Sequence, residues 1–363
     1  MRSAEKESAM KIFYIVPAIL FVFALIFFVS AYVCYRLVFF VKHGDDKANK
    51  KRSKNKTATP RGVNECESTC ENECESACEN ECESACVNEK ITLPDTEQYA
   101  PYRPKIAELL KETEKLPYED VYISSDDGLK LHAKYYEAKA GAPLRIMFHG
   151  YKSNADLDFC GGLCYSLKDG FNVLLADQRA HGKSEGKCLS FGVKERYDCL
   201  EWARYAALRF GKNCKIILNG MSMGAATVLM ACGLNLPENV VAVVADCGYT
   251  SPEAIVKKVI KDRKYPVRLV YPLVRAGGLI FGGFDIEEAS ALKAMQVCKI
   301  PVFFVHGESD LFVPCDMSRQ NYDSCACKTK KLLTIKGAGH GISFMVDRNA
   351  YQSALNEFLS SVL

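Results

Sequence analysis

Short apolar runs alternate with amphipathic segments along residues 99–363, and this alternation restricts the fold more than any other feature. Segments with helical spacing follow the runs "RIMFHG", "NVLLAD", "KIILNG", "VVAVVAD" and "KLLTIKG", and a further apolar run, "PVFFVHG", precedes the last of these. Unbroken apolar strands alternating with helices form a mainly parallel sheet covered on both faces. Upstream, "EDVYISSDDGLKLHAKYYEA" predicts a hairpin. We therefore predict an α/β domain with an eight-stranded sheet and a helical insertion before "PVFFVHG".

The stretch "KIILNGMSMGAA" places a serine between two glycines where a buried strand must turn into a helix. Gly220 and Gly224 leave room for a sharp turn, which would project the Ser222 hydroxyl over the edge of the sheet. The Met223 amide would lie at the amino end of the following helix, where free donors can hold an oxyanion. The motif predicts a nucleophilic serine.

A serine nucleophile needs a base, and the chain has 6 histidines. His340 follows the last strand on the glycine-rich loop "KGAGHG", and the order serine, acid, histidine also selects it. The remaining histidines are interpreted as structural or as part of a tether: His43, His132, His149, His181 and His306. We predict His340 as the general base.

The acid should follow a strand end and precede His340. Asp310 in "HGESDLFVP" meets both conditions, and Asp246 in "VVADCGY" is the rival. We favour Asp310. A second oxyanion donor is expected from the Tyr151 amide in "FHGYKSN", with His149 and Gly150 shaping that turn.

Taken in order, "FHGYKSN", "DQRAHGKSEG", "GMSMGA", "HGESDLFVP" and "GAGHG" resemble the α/β-hydrolase superfamily over about residues 118–363. The pattern is similar to bacterial esterases, serine-aminopeptidase-like hydrolases and their membrane-associated depalmitoylase relatives. The resemblance implies no metal or organic cofactor, and it implies that residues 251–292 form a small helical lid that lines an acyl pocket or packs on the core. It also implies a supporting role for four residues of the second motif: Asp177, Arg179, His181 and Ser184.

The uncharged run "IFYIVPAILFVFALIFFVSAYV" is long enough to cross a bilayer, since a helix rises about 1.5 Å per residue. We predict a short flank over 1–11, a transmembrane helix over 12–35 and a basic, disordered tether over 36–63 that lies near acidic lipid. Lys and Arg are denser after the run than before it, so we expect a single-pass membrane protein with the globular domain in the cytoplasm.

Residues 64–89 repeat an acidic octapeptide with a cysteine at every fourth position, and the resemblance does not account for it. We favour a low-complexity spacer. The alternative is a soft-metal site, although the spacing differs from that of zinc knuckles. Its ligands would be Cys66, Cys70, Cys74, Cys78, Cys82 and Cys86.

Composition narrows the functional classes. A net charge of +3 and the lack of a clustered basic-aromatic motif argue against a nucleic-acid partner. Beyond the repeat, many of the 18 cysteines stand in apolar contexts, which favours a reducing setting. The expected function is a membrane-anchored serine hydrolase acting on acyl esters or thioesters. A serine aminopeptidase is the first alternative, and a non-catalytic scaffold or metal-binding protein on a hydrolase fold is the second.

Overall fold

The computed structural model describes residues 2–42 and 97–363 of the chain. Most of the tether predicted over 36–63 and the whole octapeptide repeat over 64–89 lie outside the described residues. The six cysteines of the soft-metal alternative therefore lie outside them as well.

The described residues form eight strands and eleven α-helices, and a short 3-10 helix, Ala100–Tyr102, precedes the second of these helices. The strands are β1 Glu119–Ser124, β2 Lys130–Tyr136, β3 Leu144–Phe148, β4 Asn172–Asp177, β5 Ile216–Met221, β6 Val240–Asp246, β7 Val302–Gly307 and β8 Lys330–Ile335. The helices are α1 Arg2–Val38, α2 Arg103–Thr113, α3 Ala155–Lys168, α4 Glu195–Phe210, α5 Met223–Ala231, α6 Pro252–Asp262, α7 Val267–Gly277, α8 Ala291–Met295, α9 Cys315–Ser324, α10 Ser343–Val346 and α11 Arg348–Ser360. A short π-helical turn, Gly278–Gly282, follows α7.

The strands form one mixed sheet in the order β1-β2-β4-β3-β5-β6-β7-β8. Strands β3 to β8 pair in parallel, whereas β1 pairs with β2 and β2 with β4 in antiparallel fashion. The predicted mainly parallel, eight-stranded α/β sheet is confirmed. Because the carboxyl ends of β3 to β8 meet at one edge, the loops that follow them converge there.

Helices cover both faces of the sheet. Alternate residues of each strand point to opposite faces, so the side chains on both faces are buried. In β7, Phe304 packs with the cluster under α4 and α5, and its neighbour Phe303 packs against α11. Helix α3 covers the remaining part of that second face, with Leu163 against β3 and β4. This two-sided burial explains why the strands read as unbroken apolar runs.

Helix α1 projects from the domain and then joins it. Its side chains over 19–29 are exposed, whereas Phe39, just beyond the helix, is fully buried. The Val41 amide donates to the Lys187 carbonyl at 3.0 Å, and the Leu189 amide donates to the Phe39 carbonyl at 2.9 Å. The chain over 36–41 therefore differs from the tether predicted there: it completes α1 and then packs on the domain, because it carries apolar side chains that the core buries.

Phe39→Ala should destabilise the domain by about 3–5 kcal/mol, the usual cost of truncating a buried Phe. The ring stands edge-on to Phe191 at 5.9 Å and to Phe284 at 5.1 Å between centroids. Denaturant unfolding of the full chain in detergent would measure the change. Leu208→Ala is the matched control because Leu208 is 86% exposed, and it should be nearly neutral. Equal stability of Phe39→Ala and the control would contradict the docking of this segment.

Candidate active site

Ser222 occupies a sharp turn between β5 and α5. Its φ of +55° lies in the left-handed region, which a residue with a side chain adopts only when its surroundings impose it. A Cβ on Gly220 would stand 2.2 Å from the Gly224 carbonyl oxygen, and a Cβ on Gly224 would stand 1.9 Å from the Phe148 carbonyl oxygen. Both positions therefore require glycine, and the close packing of α5 on the end of β3 keeps Ser222 in its strained conformation.

Three side chains from the ends of β5, β7 and β8 form one hydrogen-bonded chain. The Nε2 atom of His340 lies 2.9 Å from Ser222 Oγ, and its Nδ1 atom lies 2.7 Å from Asp310 Oδ2. Ser222 is 6% exposed and Asp310 is 5% exposed. The structure thus brings together the three residues that the sequence indicates as nucleophile, base and acid, although 118 positions separate Ser222 from His340.

The partners of His340 determine which ring nitrogen carries the proton. An ionised Asp310 can only accept, so Nδ1 of His340 donates to it, and Nε2 is left to accept the Ser222 hydroxyl proton. The loop that carries His340 is held from outside the sheet, since the Tyr99 hydroxyl donates to the His340 carbonyl at 2.8 Å. This arrangement can make the hydroxyl a nucleophile and return the proton to a leaving group.

Asp310 is held as a carboxylate. Its Oδ1 accepts the amides of Phe312 and Val313 at 2.9 and 2.8 Å. Burial by itself would raise the pKa of Asp310, but the hydrogen bonds from His306 and His340 outweigh burial and hold that pKa well below its ordinary value. A permanent negative charge beside Nδ1 stabilises the imidazolium that forms when His340 accepts a proton.

His306 is a supporting residue whose contact with the acid the sequence did not indicate. Its Nε2 lies 2.9 Å from the Val313 carbonyl oxygen and 3.1 Å from Asp310 Oδ2, and its Nδ1 lies 2.6 Å from Ser318 Oγ. A neutral ring that donates from Nε2 and accepts the Ser318 hydroxyl satisfies all of these contacts. The spacing of four residues between His306 and Asp310 in "HGESD" is the signal that sequence reasoning could have used.

Asp246, the rival acid, does not contact His340. It ends β6 on the far side of the serine turn, where its backbone carbonyl accepts the Ser222 amide at 2.8 Å. Its Oδ1 is buried and has no hydrogen-bond partner among the described residues. Burial raises the pKa of Asp246 to about 6.

The two amides expected to hold an oxyanion border the serine. Met223 begins α5 and Tyr151 follows the end of β3, and neither amide donates to another residue within 97–363. A Cβ on Gly150 would lie 3.4 Å from Ser222 Cβ, so this loop runs directly beside the nucleophile. Free donors at a helix amino end and on this loop match the place where negative charge develops on an attacked carbonyl.

Asp158 holds the loop beside the serine and was not predicted. Its carboxylate accepts the Gly150 amide and the Ser153 hydroxyl, both at 2.6 Å. Burial raises the pKa of Asp158, and those two hydrogen bonds oppose the rise. Asp158 stands in "NADLD", where Asn154 caps α3. The sequence signal was therefore only a helix start, which does not distinguish Asp158 from Asp156.

The remaining supporting residues form a polar layer behind that loop. His149 donates from Nδ1 to the Gly150 carbonyl at 2.9 Å and accepts the Gln178 amide on Nε2 at 3.1 Å. Burial lowers the pKa of His149, and it lowers the pKa of His181 to about 4. The motif "DQRAHGKSEG" also forms buried contacts of its own: Asp177 with His132, Arg179 with Asp198, and Ser184 with the Asp177 carbonyl. These are structural contacts.

A cavity of about 490 Å³ opens over Ser222 and His340. Its apolar lining consists of Tyr99, Ile106, Tyr151, Leu157, Met221, Phe312, Ile342 and Met345. No residue of 251–292 lines it, so the expectation that the insertion lines an acyl pocket is not met at this cavity. The reason lies in the topology: Ile106 of α2 and Met345 of α10 line the cavity, whereas α7 packs against α1 and α6 packs against α7.

Cys247, Asp310 and His340 offer three potential metal-ligand atoms within 4.8 Å of one another in the described residues. Two of the three already bond each other. Burial raises the pKa of the Cys247 thiol well above its ordinary value, and a metal needs the thiolate. This donor set therefore suits a hydrogen-bonded site better than a metal centre.

Comparisons with known proteins agree with the fold. The family described as the alpha/beta hydrolase fold matches residues 145–271. The Bacillus subtilis (strain 168) protein YqkD is 26% identical over 230 residues, covering 63% of this chain and 75% of YqkD. The solved structure of the Pyrococcus furiosus esterase Pf2001 is similar with a TM-score of 0.57 and 25% identity, covering 69% of this chain and 93% of the esterase. The Aspergillus aculeatus thiohydrolase aneE is 33% identical over a shorter match of 78 residues, 22% of this chain and 24% of aneE.

Asp246→Asn should change how stability depends on pH. The folded chain raises the pKa of Asp246 from 3.8 to about 6, so it binds a proton more tightly than the unfolded chain does. Stability that comes from this group is complete below the unfolded pKa and is lost as pH rises through the folded pKa. Asparagine stays neutral, so relative to wild type the variant should be more stable above pH 6 than below pH 4. Urea titrations across that range would measure the difference, with Asp126→Asn as the exposed control. Parallel profiles for Asp246→Asn and wild type would rule out this effect.

Proposed function

The chain belongs to the α/β-hydrolase superfamily, and from that premise we propose that it is a membrane-anchored serine hydrolase that cleaves carboxylic esters or thioesters. The observation that carries the proposal is the chain of hydrogen bonds from Asp310 through His340 to Ser222, at 2.7 and 2.9 Å. A serine becomes a useful nucleophile only when a base can take its proton, and this arrangement provides that base.

The mechanism assigns one role to each group. Ser222 Oγ attacks the acyl carbonyl while His340 Nε2 takes its proton, and Asp310 stabilises the imidazolium. The amides of Tyr151 and Met223 hold the negative charge on the tetrahedral oxygen. His340 then protonates the departing alcohol or thiol, which leaves an acyl group on Ser222. Water, activated by His340 in the same way, attacks that acyl group and releases the acid.

The cavity and the relatives support the proposed substrate class. Ile106, Leu157, Ile342 and Met345 offer an apolar surface for an acyl chain next to the serine. The esterase and the thiohydrolase among the similar proteins bear names that match ester and thioester cleavage. The acid side of the substrate therefore enters the cavity, and the alcohol or thiol side leaves from it.

The peptidase alternative has less support. An aminopeptidase needs an acidic group to bind the substrate amine, and Asp158 is the single carboxylate residue among those that line the cavity. That carboxylate already accepts the Gly150 amide and the Ser153 hydroxyl. The scaffold alternative assigns no catalytic role to the hydrogen-bonded serine, histidine and aspartate, and so leaves their arrangement unexplained.

We place the anchor in α1. The segment Ile19–Val38 is apolar and long enough to cross a bilayer, and its outer part is exposed. The excess of Lys and Arg after this segment favours a domain on the cytoplasmic side. The twelve cysteines of the described residues are free thiols, as is usual in a reducing compartment.

A fluorophosphonate probe should label the wild-type chain and fail to label Ser222→Ala, because the probe reacts with an activated serine.

Asp310→Asn should lower kcat for a p-nitrophenyl ester by a factor on the order of 10⁴, the loss seen when a triad aspartate is made neutral. Asp246→Asn is the matched control and should stay close to wild type, since this side chain does not contact His340. A folded wild type that resists the probe would support the scaffold alternative. Equal losses in the two aspartate variants would contradict the assignment of the acid.

Met345→Trp should shorten the acyl chains that the site accepts. Met345 is half-buried on α10 and lines the cavity, so a larger side chain there takes space from the far end of a long acyl group. The ratio of kcat/KM for octanoyl against acetyl p-nitrophenyl esters should fall, and kcat for the acetyl ester should change little. Val297→Trp, at a position 62% exposed away from the cavity, is the control. An unchanged ratio would show that acyl chains bind elsewhere.

A further inference from the structure

The insertion between β6 and β7 packs on α1 instead of on the cavity. A Cβ on Gly277 would stand 2.6 Å from the Ala31 carbonyl oxygen, so the backbones of α1 and α7 nearly touch. The Phe281 ring lies 5.2 Å from the Tyr32 ring and 5.8 Å from the Tyr35 ring. The π-helical turn therefore packs against α1 through Phe281, and α7 contacts α1 most closely at Gly277.

Large apolar side chains are exposed at and beside this junction, and we call them together the apolar face. Its members are large side chains on α7, on the π-helical turn and on the last turns of α1: Leu269, Leu279, Ile280, Phe281, Tyr32 and Leu37. Leu269 is 69% exposed and Ile280 is 46% exposed. Exposed apolar side chains of this number, next to a helix that can cross a bilayer, are typical of a surface that meets lipid.

The other end of the insertion is basic, and we call it the basic corner. It comprises four exposed side chains at the junction of α6 and α7: Lys261, Arg263, Lys264 and Arg268. Among the described residues none of the four forms an ion pair, and the neighbouring Asp262 pairs with Lys258. A cluster of unpaired positive charge beside an apolar surface is the combination that anionic membranes attract.

We propose that the apolar face and the basic corner rest on the bilayer beside α1, so that the insertion contacts lipid and the catalytic cavity opens at the membrane surface. The inference rests on the proposed function in that it takes α1 as a membrane anchor. The apolar side chains lie in the boundary between acyl chains and head groups, and the basic side chains contact acidic head groups. Continuity with α1 is the reason for choosing lipid as the occupant of this surface.

The mouth of the cavity lies beside both elements. The Tyr151 hydroxyl donates to the Val38 carbonyl at 2.8 Å, and Lys152 Nζ donates to the Leu37 carbonyl at 3.1 Å, so two lining residues bind the end of α1. On another part of the rim, Lys258 of α6 donates to the carbonyl of Leu311, which is 86% exposed and precedes the lining residue Phe312. The rim is therefore attached to the elements that we place on the membrane.

This placement defines the substrate class more narrowly. A substrate that reaches the mouth from the bilayer is an amphiphile whose acyl chain is already dissolved in lipid. Its ester or thioester stands at head-group depth, and its acyl chain passes from the bilayer along the exposed rim into the apolar cavity. We infer that membrane-resident acyl esters or thioesters are better substrates than soluble esters of the same acyl group.

Tryptophan fluorescence in vesicles with brominated lipid tests the placement. Bromine quenches a nearby indole, and the natural Trp202 is buried in the domain and serves as background. The full chain would be reconstituted in dibrominated phosphatidylcholine with phosphatidylserine, as four variants: Leu269→Trp, Ile280→Trp, Phe23→Trp and Leu208→Trp. Phe23 reports on α1, and Leu208 is an exposed leucine near the amino edge of the sheet. We expect quenching at 269 and 280 comparable to that at 23, and none above background at 208.

Quenching at 23 without quenching at 269 and 280 would leave the anchor in place and overturn this inference. Lack of quenching at 23 as well would overturn the anchor and this inference together.

A rate measurement tests delivery of the substrate. The double variant Leu269→Glu, Ile280→Glu should hydrolyse a long-chain ester in vesicles several-fold more slowly than wild type, and hydrolyse a soluble acetyl ester at the wild-type rate. Leu208→Glu should match wild type in both. Equal vesicle rates for the double variant and wild type would overturn delivery from the bilayer. If both rates of the double variant fall together, the substitution has disturbed the enzyme, and the quenching result decides. A wild type inactive on every ester would contradict the proposed function and leave the quenching result valid.

Discussion

The close approach of α5 to the end of β3 is the constraint on which the site depends. Gly224 lies against the Phe148 carbonyl and Gly220 against α5, and any side chain at either position would collide with backbone. This packing holds Ser222 at a positive φ, keeps the Met223 amide free at the start of α5, and brings the loop of Gly150 beside the serine. One packing contact therefore positions the serine and the two amides that we propose as oxyanion donors.

The two aspartates near that turn differ in how readily they bind a proton. Asp310 is surrounded by donors and keeps its negative charge. Asp246 is buried, its Oδ1 lacks a hydrogen-bond partner among the described residues, and its pKa is raised. Two carboxylates at the ends of neighbouring strands thus differ because of their surroundings and not because of their residue type. The same edge of the sheet carries the cavity, and its rim is bonded to the end of α1 through Tyr151 and Lys152. The candidate site and the end of α1 therefore meet at one edge of the molecule.

Local patterns predicted much of this fold. Apolar runs identified the strands, and their alternation with helices identified the mainly parallel sheet, because burial on both faces leaves no polar periodicity. Local sequence also identified two site residues. The glycines around Ser222 predicted the sharp turn, and the position of His340 on a loop after the last strand predicted the base. Asp158 and His306 were not identified as site residues, since their role depends on what a distant loop places beside them.

The sequence by itself determined which residues are candidates for the chemistry. A strand that turns sharply at glycine, serine and glycine, and a histidine on a glycine-rich loop, are both local properties of the chain. Tertiary structure decided the choice between Asp310 and Asp246, since both follow a strand and only the packing of β7 beside β8 brings one of them to His340. It also decided that the insertion faces α1 and not the cavity, because Gly277 permits a backbone contact with Ala31 that no local pattern reports. Contacts between residues far apart in the chain depend on how helices and strands pack. Hydrophobic periodicity predicts each helix or strand by itself and does not predict that packing.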